Sequence, residues 1–190
     1  MQASTFRPTS AADIPIWKTI ALGEYRDVSS LRSAFDNSPC HVRIGVSVDE
    51  AIGRPTFPFA QSKVELDLVV VSVDELGFPE DGASLEAIYA RALSIGLDLC
   101  PPDLGPALRL NYLDQPRGEF LHIAMRPVAL YNRDLIDFSL GNDGASLLIF
   151  GGDARSQLVL PGLVRFVFVQ SRPDSIVRST SSSKDNLAKH

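Results

Sequence analysis

The stretch Val64-Glu65-Leu66-Asp67-Leu68-Val69-Val70-Val71-Ser72-Val73 is rich in β-branched residues, opens with strict alternation and closes as a nearly continuous apolar run. Successive side chains of a strand point to opposite faces, so the first half of this segment is half-buried and the second half is covered on both faces. Such a strand needs other strands beside it and packed layers on either side.

Neighbouring segments supply both. Ile16-Trp17-Lys18-Thr19-Ile20 alternates as a half-buried strand does. Asp27 is an N-cap, and Val28, Leu31 and Phe35 follow at helical spacing, which predicts an amphipathic helix to about Asp36. A second helix starts at Ser84, carries Leu85, Ile88, Tyr89, Ala92 and Ile95 on one stripe, and ends at Gly96. Between them, Asn37 to Ser62 is broken by Pro39, Gly45, Gly53, Pro55 and Pro58 and reads as mostly irregular, with room for a short strand within His41 to Val48. Ala107 to Tyr112 alternates, and Asp114-Gln115-Pro116-Arg117-Gly118 supplies turn residues before a further strand at Glu119 to Arg126, which predicts a hairpin. Two more strands are predicted at Ser146 to Phe150 and Leu163 to Gln170. Phe150-Gly151-Gly152-Asp153 reads as a turn ending a strand.

Strands outnumber helices and do not alternate with them, so the expected class is α+β, a mixed and mostly antiparallel sheet packed by two amphipathic helices. Residues 1–15 and 171–190, rich in Ser, Thr and other small residues, are expected to be a flexible arm and a disordered tail around one domain at 16–170. A chain of 190 residues with 45% hydrophobic and 22% charged residues has enough apolar material for a core of its own. The two cysteines, Cys40 and Cys100, do not make a disulfide framework, and the sequence has neither a basic-then-apolar leader nor a spanning apolar run. A cytoplasmic protein that makes no membrane contact is the expectation.

Chemistry is sparse. Neither Gly-x-x-x-x-Gly-Lys-[Ser/Thr] nor Gly-x-Gly-x-x-Gly occurs, and no Gly-x-Ser-x-Gly elbow places a serine nucleophile. Cys40, His41, Cys100 and His122 lack the paired spacing of a zinc site, so no metal or cofactor is expected. The net charge of -5 argues against a broad phosphate-binding surface. Glu65 and Asp67 share a strand face, and on the predicted hairpin Arg109 and Asn111 share a face that Glu119 opposes, an arrangement that would line a polar groove with an Arg–carboxylate pair or make an ordinary cross-strand pair. His122 falls on the other face of its strand from Glu119, which disfavours a dyad.

The strings Glu75-Leu76-Gly77-Phe78, Ile88-Tyr89-Ala90-Arg91-Ala92, Gly96-Leu97-Asp98-Leu99-Cys100-Pro101, Leu108-Arg109-Leu110, Asp114-Gln115-Pro116 and Arg165-Phe166-Val167-Phe168-Val169 carry a resemblance. Together with Trp17-Lys18-Thr19-Ile20, the chain resembles a family of uncharacterised bacterial proteins, some of which carry a helicase label. It departs from that pattern at Cys40 to Arg54 and Ala154 to Leu163, and the resemblance brings no assigned catalytic residues. Helix termination and turn geometry account for Gly96, Pro101, Gly105 and Pro106, but not for Tyr89, Arg91, Arg109, Asp114 and Gln115. With Glu119, these are the candidate binding residues. The expected function is a non-catalytic binding or accessory domain that holds a small ligand or protein partner more readily than nucleic acid. The alternatives are an enzyme that uses a carboxylate pair with an Arg anion clamp, and a nucleic-acid-associated accessory protein.

Overall fold

A computed structural model describes residues 7–170. In chain order its elements are β1 (Lys18–Leu22), α1 (Val28–Asp36), β2 (Val42–Ile44), α2 (Val46–Ile52), β3 (Val64–Ser72), β4 (Ala83–Ser84), α3 (Leu85–Ser94), β5 (Leu97–Asp98), α4 (Leu104–Asn111), β6 (Phe120–Ala129), β7 (Leu135–Asn142), β8 (Leu147–Asp153), β9 (Val159–Leu160) and β10 (Arg165–Gln170). The main sheet runs β1-β3-β10-β6-β7-β8-β2, with β5 added beside the end of β10. Only the β10–β6 and β2–β8 pairs are parallel, so the class is α+β with a mostly antiparallel mixed sheet. No helix among the described residues is long and apolar enough to cross a membrane.

The β-branched run forms β3, flanked by β1 and β10, and it is covered on both faces. Leu68 joins a core with Leu31 and Phe35 of α1, Val48 and Ile52 of α2, and Leu104 and Leu108 of α4. Val69 and Val71 join a second core with Leu85, Ile88 and Ala92 of α3. β10 is divided in the same way, with Val167 and Val169 in the first core and Phe166 and Phe168 in the second. Full burial of one such side chain contributes roughly 1.5–3 kcal/mol, so these two strands anchor both layers.

Local signals hold where capping and periodicity agree. Asp27 accepts a 2.7 Å hydrogen bond from the Ser30 amide at the start of α1, and Ser84 accepts one from Ala87 at 3.3 Å at the start of α3. Gly96, with φ +91°, follows the end of α3.

Four corrections follow from long-range packing. Most of the segment predicted as the strand Ala107 to Tyr112 belongs to helix α4, which Tyr112 caps, so the described residues hold four α-helices instead of two and the predicted hairpin does not exist. Pro106 sits in the first turn of α4, where a missing N–H costs nothing, and Leu104, Ala107 and Leu108 make the buried stripe. β6 pairs instead with β7, whose Ile136, Phe138 and Leu140 face the first core. The irregular stretch from Asn37 to Ser62 contains β2 and the short helix α2. Gly151 and Gly152 lie inside β8 instead of in a turn, and a Cβ at Gly152 would stand 2.6 Å from Asp137 Oδ1.

Of the expected arm, residues 7–15 are described: Ala11–Asp13 form a 3-10 turn, and Ala11 and Ile14 are buried against the second core. The remainder of that arm and the expected tail at 171–190 lie outside the described residues.

Gly82 has φ +94°, and an added Cβ would stand 1.8 Å from the Leu160 carbonyl oxygen across the β4–β9 pair. Gly77 has φ +99° with open space around it. Gly82→Ala is expected to lower stability in urea denaturation by about 3 kcal/mol or more, against about 1 kcal/mol for Gly77→Ala, where only the backbone conformation is strained.

Candidate functional site

Arg109 is fully buried on α4. Its Nη1 donates to Gln115 Oε1 at 2.5 Å and more weakly to the Gly141 and Leu148 carbonyls, both at 3.4 Å, while Nη2 donates to the Tyr112 carbonyl. No carboxylate takes part in these bonds. A buried cation must be satisfied by charges or by dipoles, and here carbonyl and amide oxygens satisfy Nη1 and Nη2, while Nε is buried without a partner. Burial lowers its pKa to about 10, so the guanidinium stays protonated at neutral pH. The side chain therefore ties the end of α4 to the β7–β8 hairpin.

The network extends through Gln115, whose Nε2 donates to the Glu119 carbonyl at 3.3 Å and whose own carbonyl accepts from Asn142 Nδ2 at 2.7 Å. Glu119 closes it: its side chain accepts from the Tyr112 hydroxyl at 2.7 Å and from Arg165 Nη1 at 2.8 Å. Arg109, Gln115 and Glu119 thus come together, but as an interior brace. Of the three, Glu119 reaches a groove, of about 520 Å³, shared with Phe120, His122 and Arg165.

The other predicted residues are dispersed. Asp114 is exposed, 4.0 Å from Lys18 Nζ. Arg91 donates from Nε to the Leu76 carbonyl at 3.1 Å and from Nη2 to the Pro8 carbonyl at 3.0 Å, fastening the chain start to α3. Tyr89 packs edge-on against Phe166 and Phe168, with ring centroids 6.0 and 6.1 Å away. Asp67 is buried and accepts from Thr19 Oγ1 at 2.7 Å, whereas its strand neighbour Glu65 is exposed. With the Arg109 guanidinium committed to carbonyl and amide oxygens, it does not clamp an anion between these carboxylates.

Cys40 and Cys100 are free thiols. The Cys100 thiol donates to the Val167 carbonyl at 3.3 Å, and burial pushes its pKa up. His122 Nδ1 lies 3.1 Å from Ser139 Oγ, but Ser139 is fully buried and reaches no groove. Among the described residues, no three His, Cys, Asp or Glu side chains converge as a metal site requires.

A cleft of about 550 Å³ lies between the loop after α2, the segment Leu99 to Pro102 and the second half of β6. Two backbone features build it. Cys100 forms a parallel bridge to Met125, with its amide donating to the Ala124 carbonyl at 2.7 Å. The β6–β7 register shifts between Ile123 and Val128, which turns Arg126 and Pro127 out of the regular ladder. Arg126 lines the cleft from this irregularity, and Arg54 lines it from the loop after α2. The Arg54 guanidinium lies 4.3 Å from the Tyr131 ring centroid, and its Nη1 is buried without a hydrogen-bond partner. No Asp or Glu lines this cleft. Among the described residues, neither arginine is ion-paired with a carboxylate. Sequence reasoning missed both: each is a lone arginine in a Pro-interrupted stretch, and only long-range pairing brings them together.

Asp137 of β7 is buried with Oδ1 unpartnered, and the Tyr89 hydroxyl from α3 is unpartnered as well. Burial, with a smaller contribution from Asp153, raises the Asp137 pKa to about 7 against the favourable Gly152 amide. Burial and the Asp137 charge together push the Tyr89 phenol up.

The chain matches no protein-family model, no curated protein and no solved structure with which it was compared.

Two stability measurements follow. Arg109→Met leaves Gln115 Oε1 and the Tyr112 carbonyl without their donor, and equilibrium unfolding is expected to show a loss of about 3 kcal/mol or more. Asp137 binds its proton more tightly folded than unfolded, so it reduces stability as pH rises from about 4 to about 7 and the loss levels off above that. The full effect is on the order of 4 kcal/mol at most. Asp137→Asn is expected to flatten that part of the stability–pH profile and to exceed the wild type at pH 8, while matching it near pH 4.

Proposed function

We propose that the chain is a non-catalytic binding domain that holds an anionic ligand in the Arg54–Arg126 cleft. The observation that carries this reading is a pair of arginines lining a concave surface with no acidic lining residue and, among the described residues, no carboxylate partner for either of them. Stacking on Tyr131 restricts the Arg54 side chain before a ligand arrives.

The remaining chemistry supports binding over turnover. The Cys100 thiol is held protonated in the core, and Glu119 is committed to Tyr112 and Arg165. Nucleic-acid association is the weaker reading, because Lys18, Arg32, Arg43, Arg155 and Arg165 each lie within 4.0 Å of a carboxylate and the net charge is -5.

The test is an amide-resolved NMR titration of the full chain with acetate, benzoate, inorganic phosphate and adenosine monophosphate. At least one anion is expected to shift the amides of Leu99, Cys100, Arg126, Val128 and Ala129. The Arg54→Ala, Arg126→Ala double variant is expected to weaken that binding by roughly tenfold or more, the usual worth of charge-assisted hydrogen bonds. Silence from every anion, or binding indifferent to the double variant, overturns the assignment. Turnover in a broad hydrolase screen, lost on changing Glu65, Asp67 or Glu119, overturns the non-catalytic reading.

A further inference from the structure

We infer that the ligand of the Arg54–Arg126 cleft is a carboxylate with an apolar body, an alkyl or aryl acid, and not a phosphate ester or nucleotide. The inference rests on the reading of this cleft as an anion site, and it comes from what surrounds the two arginines.

Phosphate sites are commonly built from successive backbone N–H groups, glycines that let the backbone approach, and a lysine. This cleft is built the other way. Pro58, Pro101, Pro102 and Pro127 line it, and none of them has an N–H to give; no glycine and no lysine is present in the lining. Donors come from the guanidiniums and the Thr56 hydroxyl, set among the hydrocarbon of Leu99, Val128 and the prolines. A guanidinium fork matches the two coplanar oxygens of a carboxylate, which two arginines satisfy without help from the backbone. The apolar wall beside them rewards a hydrocarbon body and disfavours the hydroxyls of a sugar phosphate.

A nucleobase also lacks a platform. No aromatic residue is part of the lining, and the ring against Arg54, Tyr131, has one face occupied by that guanidinium. The volume of about 550 Å³ is in the range of small-molecule sites.

The experiment is isothermal titration of the full chain with acetate, hexanoate, octanoate, 1-octanol, inorganic phosphate and adenosine monophosphate. Affinity is expected to rise about two- to fourfold for each added methylene, as apolar burial requires. Octanoate is expected to bind roughly tenfold or more tightly than 1-octanol, which lacks the charge, and than inorganic phosphate. Ala129→Asp places an acid at an exposed position of the lining. It is expected to weaken octanoate about fivefold or more without moving the thermal midpoint, because only the cleft charge changes.

A flat chain-length series, or phosphate or adenosine monophosphate binding as tightly as octanoate, overturns the ligand class. If that binding is lost in the Arg54→Ala, Arg126→Ala variant, the anion site itself stands. If no probe binds, the anion site fails and the ligand class falls with it.

Discussion

Two adjacent strands, β3 and β10, are buried on both faces, and this constraint organises the molecule. A strand covered on one face needs one packed layer; these need two, which is why α1, α2 and α4 lie in one core and α3 in the other. The centre of the sheet is thereby closed to ligands. The Arg54–Arg126 cleft is formed beside the second half of β6, where its ladder is interrupted and loops replace helices.

The buried polar groups are divided between two roles. Arg109, Gln115, Tyr112 and Glu119 form a network that fixes α4 against the β7–β8 hairpin, with only the Arg109 Nε left unpartnered among the guanidinium nitrogens, and their chemistry is consumed in holding the fold. Arg54 and Arg126 are the reverse, with donors that no carboxylate of the described residues occupies. An arginine in an apolar string is thus a poor pointer to a ligand until its acceptors are known.

The legible parts of the fold were those fixed by local chemistry. α1 and α3 announce themselves by an N-cap and one apolar stripe, and β3 by its β-branched run. α4 was misread because Ala107 to Tyr112 alternates as a strand does while Leu104, Ala107 and Leu108 also fit a helix; packing against β1, β7 and β8 decides between them. β7 carries the same kind of alternation, with Ile136, Phe138 and Leu140 between Asp137 and Ser139, but that pattern predicts a solvated polar face, whereas Asp137 and Ser139 are buried. Of the candidate residues, Arg109, Gln115 and Glu119 meet in one network, through helix α4 and not through the expected hairpin, and the cleft arginines carry no local signal, since the Cys100–Met125 bridge and the β6 irregularity that shape the cleft are long-range features.

The position of β10 also governs when the chain can fold. It comprises residues 165–170 yet lies between β3 and β6, with β3 about a hundred residues earlier. Until those residues have left the ribosome, β3 lacks its inner partner and Val69 and Val71 have no Phe166 or Phe168 to pack against. The sheet therefore closes late, through contacts distant in sequence, which places the protein among slow folders with high contact order. Until then the apolar second half of β3, beyond its pairing with β1, has no strand beside it, the kind of segment that chaperones shield.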